Sequence, residues 1–545
     1  VAPIRPVAFL RRQGSDDVKI AASRRYNRSG HSAYATVARM TNLSSVPDDA
    51  SIPEGHMQPT THGRQVNPWL VLAVVCFAQF MVVLDATIVN IALPSIQTDL
   101  KLSDSNLQWI VNAYTLVFGG FLMLGGRLAD LLGRRMLFLT GIVIFSVASL
   151  VNALSVSGEM LIVARGFQGL GGALASPAAL SIVISTFDEG PTRTKALAIW
   201  GAIAAGGSAF GLLLGGALTE TLDWRWNFII NIPIGIAVVL ATLSFVPESR
   251  HETAERHFDV AGAVTITGGL MALVYAIVNA EKVGWGSTES ILWFAGAFLL
   301  LAAFVVIELR SPQPLVRLSF FKQRWITAAN LTMLVVAGAM FAMFFFISLY
   351  VQRILGYNPL KAGLAFLPAT AGIMTGAAIS QQTVDRIGVK PVLMTGLSLV
   401  SIGLFVLSVT TQVDGTYLHL LTGLVPMALG MGMTFVPLTL VATSGVPPAD
   451  AGLASGVFNT SQQIGGALGL AILSTLSSNR SANVIAEVAG RPRPSDLAYA
   501  MVEGFQTAFI VAAGLALVGL LMVTFVLRKK DIQNVSAADA NPVAI

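Results

Sequence analysis

Charge and thiol chemistry are what this chain has least of. Only 12% of its 545 residues are Asp, Glu, Lys or Arg, about half the share of an ordinary soluble domain, which excludes a hydrated globule. One cysteine, Cys76, excludes an intramolecular disulfide and any cysteine-based metal cluster. The six histidines are scattered through the N-terminal stretch and the polar connections, apart from His419 at the start of an apolar run. No His/Glu metal spacing, phosphate-binding loop or nucleophile elbow occurs. No enzyme activity, cofactor or metal is therefore expected. What the chain has in excess is apolar surface: 54% hydrophobic residues and a mean hydropathy of +0.71 make it an integral membrane protein. A net charge of +5 does not imply nucleic acid, because nine of the 34 Lys and Arg lie before Asn67 and most of the others sit between apolar runs.

A bilayer core of about 30 Å takes about 20 apolar residues per helix. Fourteen such runs are present, at 69–93, 107–125, 136–155, 159–186, 196–218, 226–246, 259–279, 291–309, 325–352, 362–381, 391–410, 416–442, 452–475 and 504–527. An even number returns both termini to one side. Beyond the N-terminal stretch, sixteen Lys/Arg fall on that side and eight on the other, so both termini are expected in the cytoplasm and the chain in the plasma membrane. Residues 1–66 contain Pro47, Pro53 and Pro59 and no apolar stretch longer than Val7–Leu10, short of the about 7–15 residues of a cleavable signal peptide. They read as a disordered cytoplasmic tail, with Met57 an alternative start.

One segment stands out between two apolar runs: Gly125-Gly126-Arg127-Leu128-Ala129-Asp130-Leu131-Leu132-Gly133-Arg134-Arg135. Its Asp-x-x-Gly spacing returns 255 residues later as Asp385-Arg386-Ile387-Gly388, followed by Lys390. The echo divides the chain into an N-terminal six-helix half (67–247), a two-helix insertion (258–310), a C-terminal six-helix half (325–528) and a cytoplasmic tail (529–545). Parallel halves of this kind hold a substrate near the membrane midplane between them.

Inside the first run stands Asp85. A charge at that depth costs at least ~2.5 kcal/mol and is rarely kept without a role. Burial favours the neutral form of a carboxyl group, which makes Asp85 a candidate for taking up and releasing a proton; a satisfied structural hydrogen bond is the plainer reading. Gln79 and Asn90 share a face about 120° from Asp85 and point to a cavity or a neighbouring helix. In the fourth run, Arg165 is followed at i+3, i+4 and i+7 by Gln168, Gly169 and Gly172. That face admits a close helix, with the guanidinium aimed at a polar interior or snorkelling to the rim. Gln79, Asn90 and Gln168 are candidates for a substrate cavity. Gly207, Gly211 and Gly215, with Gly216 beside them, form a small-residue stripe in the fifth run. Phe341, Phe344, Phe345 and Phe346 could face lipid or line a pocket.

Together these residues resemble the major facilitator superfamily, and within it the fourteen-helix drug:proton antiporters. Gly126–Arg135 is similar to the family's motif A, Arg165–Gly172 to its motif B, and Leu84–Pro94 to the first-helix Asp motif of that branch. Trp224–Gly235 and Gly456–Gly469, with Asn459, Gln462 and Gln463, are also branch-like. One departure stands in the fifth helix, where Leu212 occupies the place of the antiporter motif's proline, so the kink that proline permits is not expected. The resemblance implies an all-α major-facilitator fold that exchanges protons for amphipathic or cationic small molecules as a monomer in the lipid bilayer. It implies proton coupling at Asp85 and Arg165, and a cytoplasmic latch of Gly126, Arg127, Asp130, Gly133, Arg134, Arg135, Asp385 and Gly388. The glycine stripe would serve packing and rocking. A dedicated exporter of one metabolite or self-made antibiotic, and a membrane sensor or scaffold without transport, are the competing readings.

Overall fold

A chain in lipid finds no water for its backbone N–H and C=O groups, and a helix satisfies them within each crossing. The computed structural model describes residues 67–187, 191–248, 259–312, 314–316, 321–443, 451–488 and 492–527, and every crossing among them is helical. The two expected tails, 1–66 and 529–545, lie outside the described residues. In chain order the elements are α1 (Pro68–Leu100), α2 (Asp104–Leu132), α3 (Arg134–Ala153), α4 (Gly158–Thr186), α5 (Pro191–Thr221), α6 (Trp226–Ile229), α7 (Asn231–Phe245), α8 (Val260–Val283), α9 (Thr288–Arg310), α10 (Arg324–Leu349), α11 (Pro359–Ala365), α12 (Leu367–Ile387), α13 (Val389–Thr410), α14 (Tyr417–Thr443), α15 (Ala451–Ala486) and α16 (Pro494–Val526). A π-helical turn, Tyr350–Ile354, extends α10.

Helix starts follow from short polar side chains that satisfy the first free N–H groups. Asn67 accepts from the Trp69 N–H, with Pro68 next to it needing no acceptor. Ser103, Ser157, Asp259 and Ser287 do the same for α2, α4, α8 and α9. The pairs α6/α7 and α11/α12 each make one crossing, broken at Ile230 and Phe366. Among the described residues, twelve crossings are long and apolar enough to span a membrane by length and composition. The glycine- and alanine-rich α5 and α15, with 31 and 36 residues, complete the fourteen.

Packing repeats between the halves. In the first, α1 lies on α5, α2 and α3 on α4, and α3 on α7; in the second, α10 lies on α15, α12 and α13 on α14, and α13 on α16. The halves meet along two larger seams, α2 with α15 and α5 with α11, and at a smaller contact of α1 with α10, and the α8–α9 hairpin leans on α2 and α15. Because α11 is one short helix beside Pro359, the α5–α11 seam lies wholly at the end of the bundle that carries Lys101. There Asn358 Nδ2 donates to Glu220 Oε1 at 3.2 Å across the halves.

Close approach without side chains explains the glycine stripes. A Cβ on Gly211 would lie 2.1 Å from Thr87 Oγ1 and 2.9 Å from the Leu84 carbonyl of α1, and one on Gly215 would lie 2.7 Å from the Ile88 carbonyl. The equivalent contact of the second half is tighter, with a Gly469 Cβ placed 2.1 Å from the Gly338 Cα. Gly207 also faces α1, at Val83 and Phe80, whereas Gly216 faces α11 across the seam, at Pro359 and Leu360.

Two features of the sequence gain a definite place. Of the four phenylalanines of α10, Phe345 and Phe346 are buried, Phe346 meeting the rings of Phe505 and Phe509 on α16, while the half-buried Phe344 stacks on Phe366 and the half-buried Phe341 lies against Gly466 of α15. Leu212 does more than replace a proline. It is buried in the core, α5 runs unbroken through it, and its carbonyl sits where a Cβ on Gly363 of α11 would be 2.5 Å away.

Gly211→Val and Gly469→Leu are expected to destabilise the detergent-solubilised protein by about 1–3 kcal/mol each, as overpacking does. Gly296→Ala, where nothing lies within 4 Å of the added Cβ, is expected to leave the melting temperature unchanged or raise it slightly. Thermal unfolding of the three variants checks this, and equal melting temperatures would refute the close-packing account.

Candidate functional site

Asp85 is fully buried on the face of α1 that packs against α4. Its carboxylate accepts three hydrogen bonds. Arg165 Nη1 of α4 donates to Oδ2 at 2.5 Å, and Oδ1 takes Gln168 Nε2 at 2.7 Å and Asn231 Nδ2, at the start of α7, at 2.8 Å. Arg165 is as deeply enclosed, at 1% exposure. Its Nη1 also reaches Gln168 Oε1 at 2.7 Å, and its Nε donates to the Ile110 carbonyl of α2 at 3.1 Å.

A second ring of polar groups holds the first. Ser149 and Asn152, one turn apart on α3, bind the two ends of the Gln168 amide: Gln168 Nε2 donates to Ser149 Oγ at 2.7 Å, and Asn152 Nδ2 donates to Gln168 Oε1 at 2.7 Å. Asn231 Nδ2 also leans on Ser149 Oγ at 3.3 Å. Above the guanidinium lies the Tyr114 ring, its centroid 4.3 Å from Arg165 Cζ, with Phe228 of α6 at 5.9 Å. Such stacking adds to the attraction where water is excluded.

Sequence places each of these groups by simple means. Arg165 and Gln168 share a helix face at i and i+3. A side chain on Gly169 would collide with the Tyr114 carbonyl, at 2.4 Å from its Cβ, so this glycine lets α2 bring Tyr114 and Ile110 onto Arg165. Asn231 is the first residue of α7 because the crossing breaks at Ile230.

An ion pair so far from water is held by matched partners on every side. Removing one member of such a pair costs about 3–5 kcal/mol, because it strands the other charge. Through this carboxylate α1, α4 and α7 are tied at one point.

Of the residues expected to matter, the structure brings together Asp85, Arg165 and Gln168. Gln168, expected to line a cavity, lies at the centre of this network, fully buried and bonded at both ends of its amide. Gln79 and Asn90 stay apart from it. Gln79 Oε1 has no hydrogen-bond partner, and Asn90 Nδ2 turns back to the Ala86 and Thr87 carbonyls at 3.4 Å. Ser149, Asn152 and Tyr114 were not singled out from the sequence, although Ser149 and Asn152 one turn apart in an apolar run are a readable signal. Asn231 stood inside a quoted segment without a role.

The charge-dense loop is a tight junction. Gly133 (φ 107°) joins α2 to α3 and Gly388 (φ 85°) joins α12 to α13, both in backbone regions that L side chains avoid. Two residues beyond each glycine a basic side chain closes a helix end. Arg135 Nη2 donates to the Leu243 carbonyl near the end of α7 at 2.8 Å, and Lys390 Nζ donates to the Thr524 and Leu527 carbonyls at the end of α16 at 2.7 and 2.6 Å. A cation suits the negative end of a helix. Gly126 lies against Pro177 of α4, and Arg134 is half-buried at the start of α3. The side chains of Arg127, Asp130 and Asp385 lie outside the described residues.

Comparison with known proteins agrees with this architecture. The chain is 37% identical over 494 residues to the puromycin resistance protein pur8 of Streptomyces alboniger, covering 90% of this chain and 95% of that one. It is 38% identical over 422 residues to the cephamycin export protein CmcT of Amycolatopsis lactamdurans, covering 77% and 87%. Among solved structures, an inward-facing, unoccupied bacterial homolog of the human lysosomal transporter Spinster superposes with a TM-score of 0.62 over 88% of this chain and all of that one, at 15% identity, a likeness of fold. The family model described as Major Facilitator Superfamily matches residues 75–470, and with that match and these relatives the chain belongs to the major facilitator superfamily.

Proposed function

We propose that this protein exports amphipathic, often cationic, small molecules across the cytoplasmic membrane in exchange for protons. The observation that carries the reading is the fully enclosed Asp85–Arg165 pair, an ionisable couple kept at membrane depth inside one half of a two-half transporter fold. The direction of transport is supported by the relatives, which are named for puromycin resistance and for cephamycin export. The excess of Lys and Arg in the connections on the Gly133 side supports placing that end, and both termini, in the cytoplasm. The halves touch at the opposite end, at Glu220–Asn358 and along Gly216–Pro359. With that orientation the form described is closed to the outside.

The cycle follows from the network. In the ionised form Arg165, Gln168 and Asn231 together hold the carboxylate. A proton arriving from outside neutralises Asp85 and weakens its hold on α4 and α7, leaving the guanidinium with Gln168 Oε1, the Ile110 carbonyl and the Tyr114 ring. Release of the proton on the cytoplasmic side re-forms the pair. Each proton supplies about 2.3 kcal/mol per 100 mV and about 1.4 kcal/mol per pH unit, so one or two drive steep expulsion. A narrower reading, export of a single antibiotic-like metabolite, is favoured by the single compounds in the relatives' names.

Asp85→Asn is expected to lower pH-gradient-driven efflux at least tenfold in everted vesicles while the protein still inserts and folds. Efflux at the parent's rate with the same pH dependence would sink the proton role. Arg165→Lys keeps the charge but cannot reach Asp85, Gln168 and the Ile110 carbonyl together, and a comparable loss is expected in the same assay. Flux measured over a panel of dyes, puromycin-like aminonucleosides and β-lactams, with and without an uncoupler, is expected to show outward transport that collapses with the gradient. A rate that resists the uncoupler would overturn proton coupling, and transport of only one class would select the narrower reading.

A further inference from the structure

Proline inside a helix leaves one carbonyl without its partner, because the ring nitrogen carries no hydrogen for the residue four positions earlier. In α1 that proline is Pro94, and the carbonyl it releases belongs to Asn90. The released oxygen is taken up from the other half of the molecule, where Ser348 Oγ of α10 donates to Asn90 O at 2.6 Å. One turn further along the same face, Gln352 Nε2 donates to the Ile91 carbonyl at 3.1 Å and to Ser348 Oγ at 3.1 Å. Gln352 lies in the π-helical turn Tyr350–Ile354. The extra residue in such a turn rotates the side chains that follow it, and turns of this kind recur at functional sites. The turn is itself anchored, since the Tyr350 hydroxyl donates to the Gln412 carbonyl at 2.8 Å.

We infer that Pro94, Ser348 and Gln352 form a clasp that holds the Lys101 end of the transporter shut, with the carbonyl released by Pro94 as its acceptor. The inference rests on the reading of the chain as an alternating-access transporter and adds a gate to it. Asn90 enters through its backbone rather than through the side chain expected to line a cavity. The clasp and the Asp85 network ride on one helix: Asn90 is five residues from Asp85, about 7.5 Å along the axis. A displacement of α1 that follows a change at Asp85 therefore reaches the clasp directly. When the halves part at this end, Ser348 and Gln352 leave together and the Asn90 carbonyl is handed to water, so opening exchanges protein partners for solvent ones instead of stranding a buried acceptor.

The test reads the closed end itself. In a Cys76→Ser background, Glu220→Cys with Asn358→Cys places a cysteine pair across the seam at this end, and its rate of oxidative cross-linking in membranes reports how often the end is shut. Ser348→Ala is expected to slow cross-linking, and to raise labelling of the pair by a membrane-impermeant maleimide, by roughly threefold to tenfold, as loss of one such hydrogen bond gives. Gln352→Leu is expected to act in the same direction, and Ser348→Thr, which keeps the hydroxyl, to restore the parent rate. Pro94→Ala gives the Asn90 carbonyl a partner inside α1, so in that background Ser348→Ala should have little further effect. Equal effects of Ser348→Ala with and without Pro94, or no effect with Pro94 present, would overturn the clasp. Since cross-linking needs no substrate, a cross-linking pair in a protein that moves nothing would refute the exporter reading and leave the clasp standing.

Discussion

The cost of keeping a charge out of water is the constraint on which the first half of this molecule depends. Asp85 and Arg165 are tolerable at that depth only as a pair, and the pair only because Gln168, Asn231 and the Ile110 carbonyl bond to it, with Ser149 and Asn152 holding Gln168 in turn. Those groups come from α1, α2, α3, α4 and α7, so one carboxylate fixes the mutual position of five helices. The apolar contacts around them can be made in many ways, but the polar contacts fit one register.

A second constraint is the distance between helix axes. Transmembrane helices gain nothing from leaving water and attract one another through close contact. The stripes at Gly207, Gly211 and Gly215, and at Gly465 and Gly469, bring α5 onto α1 and α15 onto α10 by the same device. At Gly216 and Gly363 that device crosses from one half to the other, and there the contact joins parts that must separate for transport. Smooth backbone surfaces suit such a seam, since they release without interlocked side chains.

Much of the fold was legible because lipid leaves so few choices. Fourteen apolar runs gave fourteen crossings, and the Asp-x-x-Gly echo marked two equivalent junctions that both turn on a glycine at positive φ. Asp85 and Arg165 were visible as charges where charges are costly. What the sequence did not display was which neutral amides and hydroxyls answer them. Ser149, Asn152 and Asn231 look like any polar residue of a membrane helix, and their selection depends on how each helix is rotated about its axis, which nearly uniform apolar helices do not reveal. The place of Gln168 in the network was hidden for the same reason, and the surroundings of the α10 phenylalanines stayed open because they depend on Phe366, α15 and α16 and not on the composition of α10.

Every group described around Asp85 belongs to the first half, while α10, which takes the place of α1 in the second, carries no charged residue after Arg324. Among the described residues, the hydrogen bonds around Asp85 thus close within the first half. The helices of the second half that do not touch α1, such as α13 and α14, can therefore drift in shape and polarity without breaking one of them.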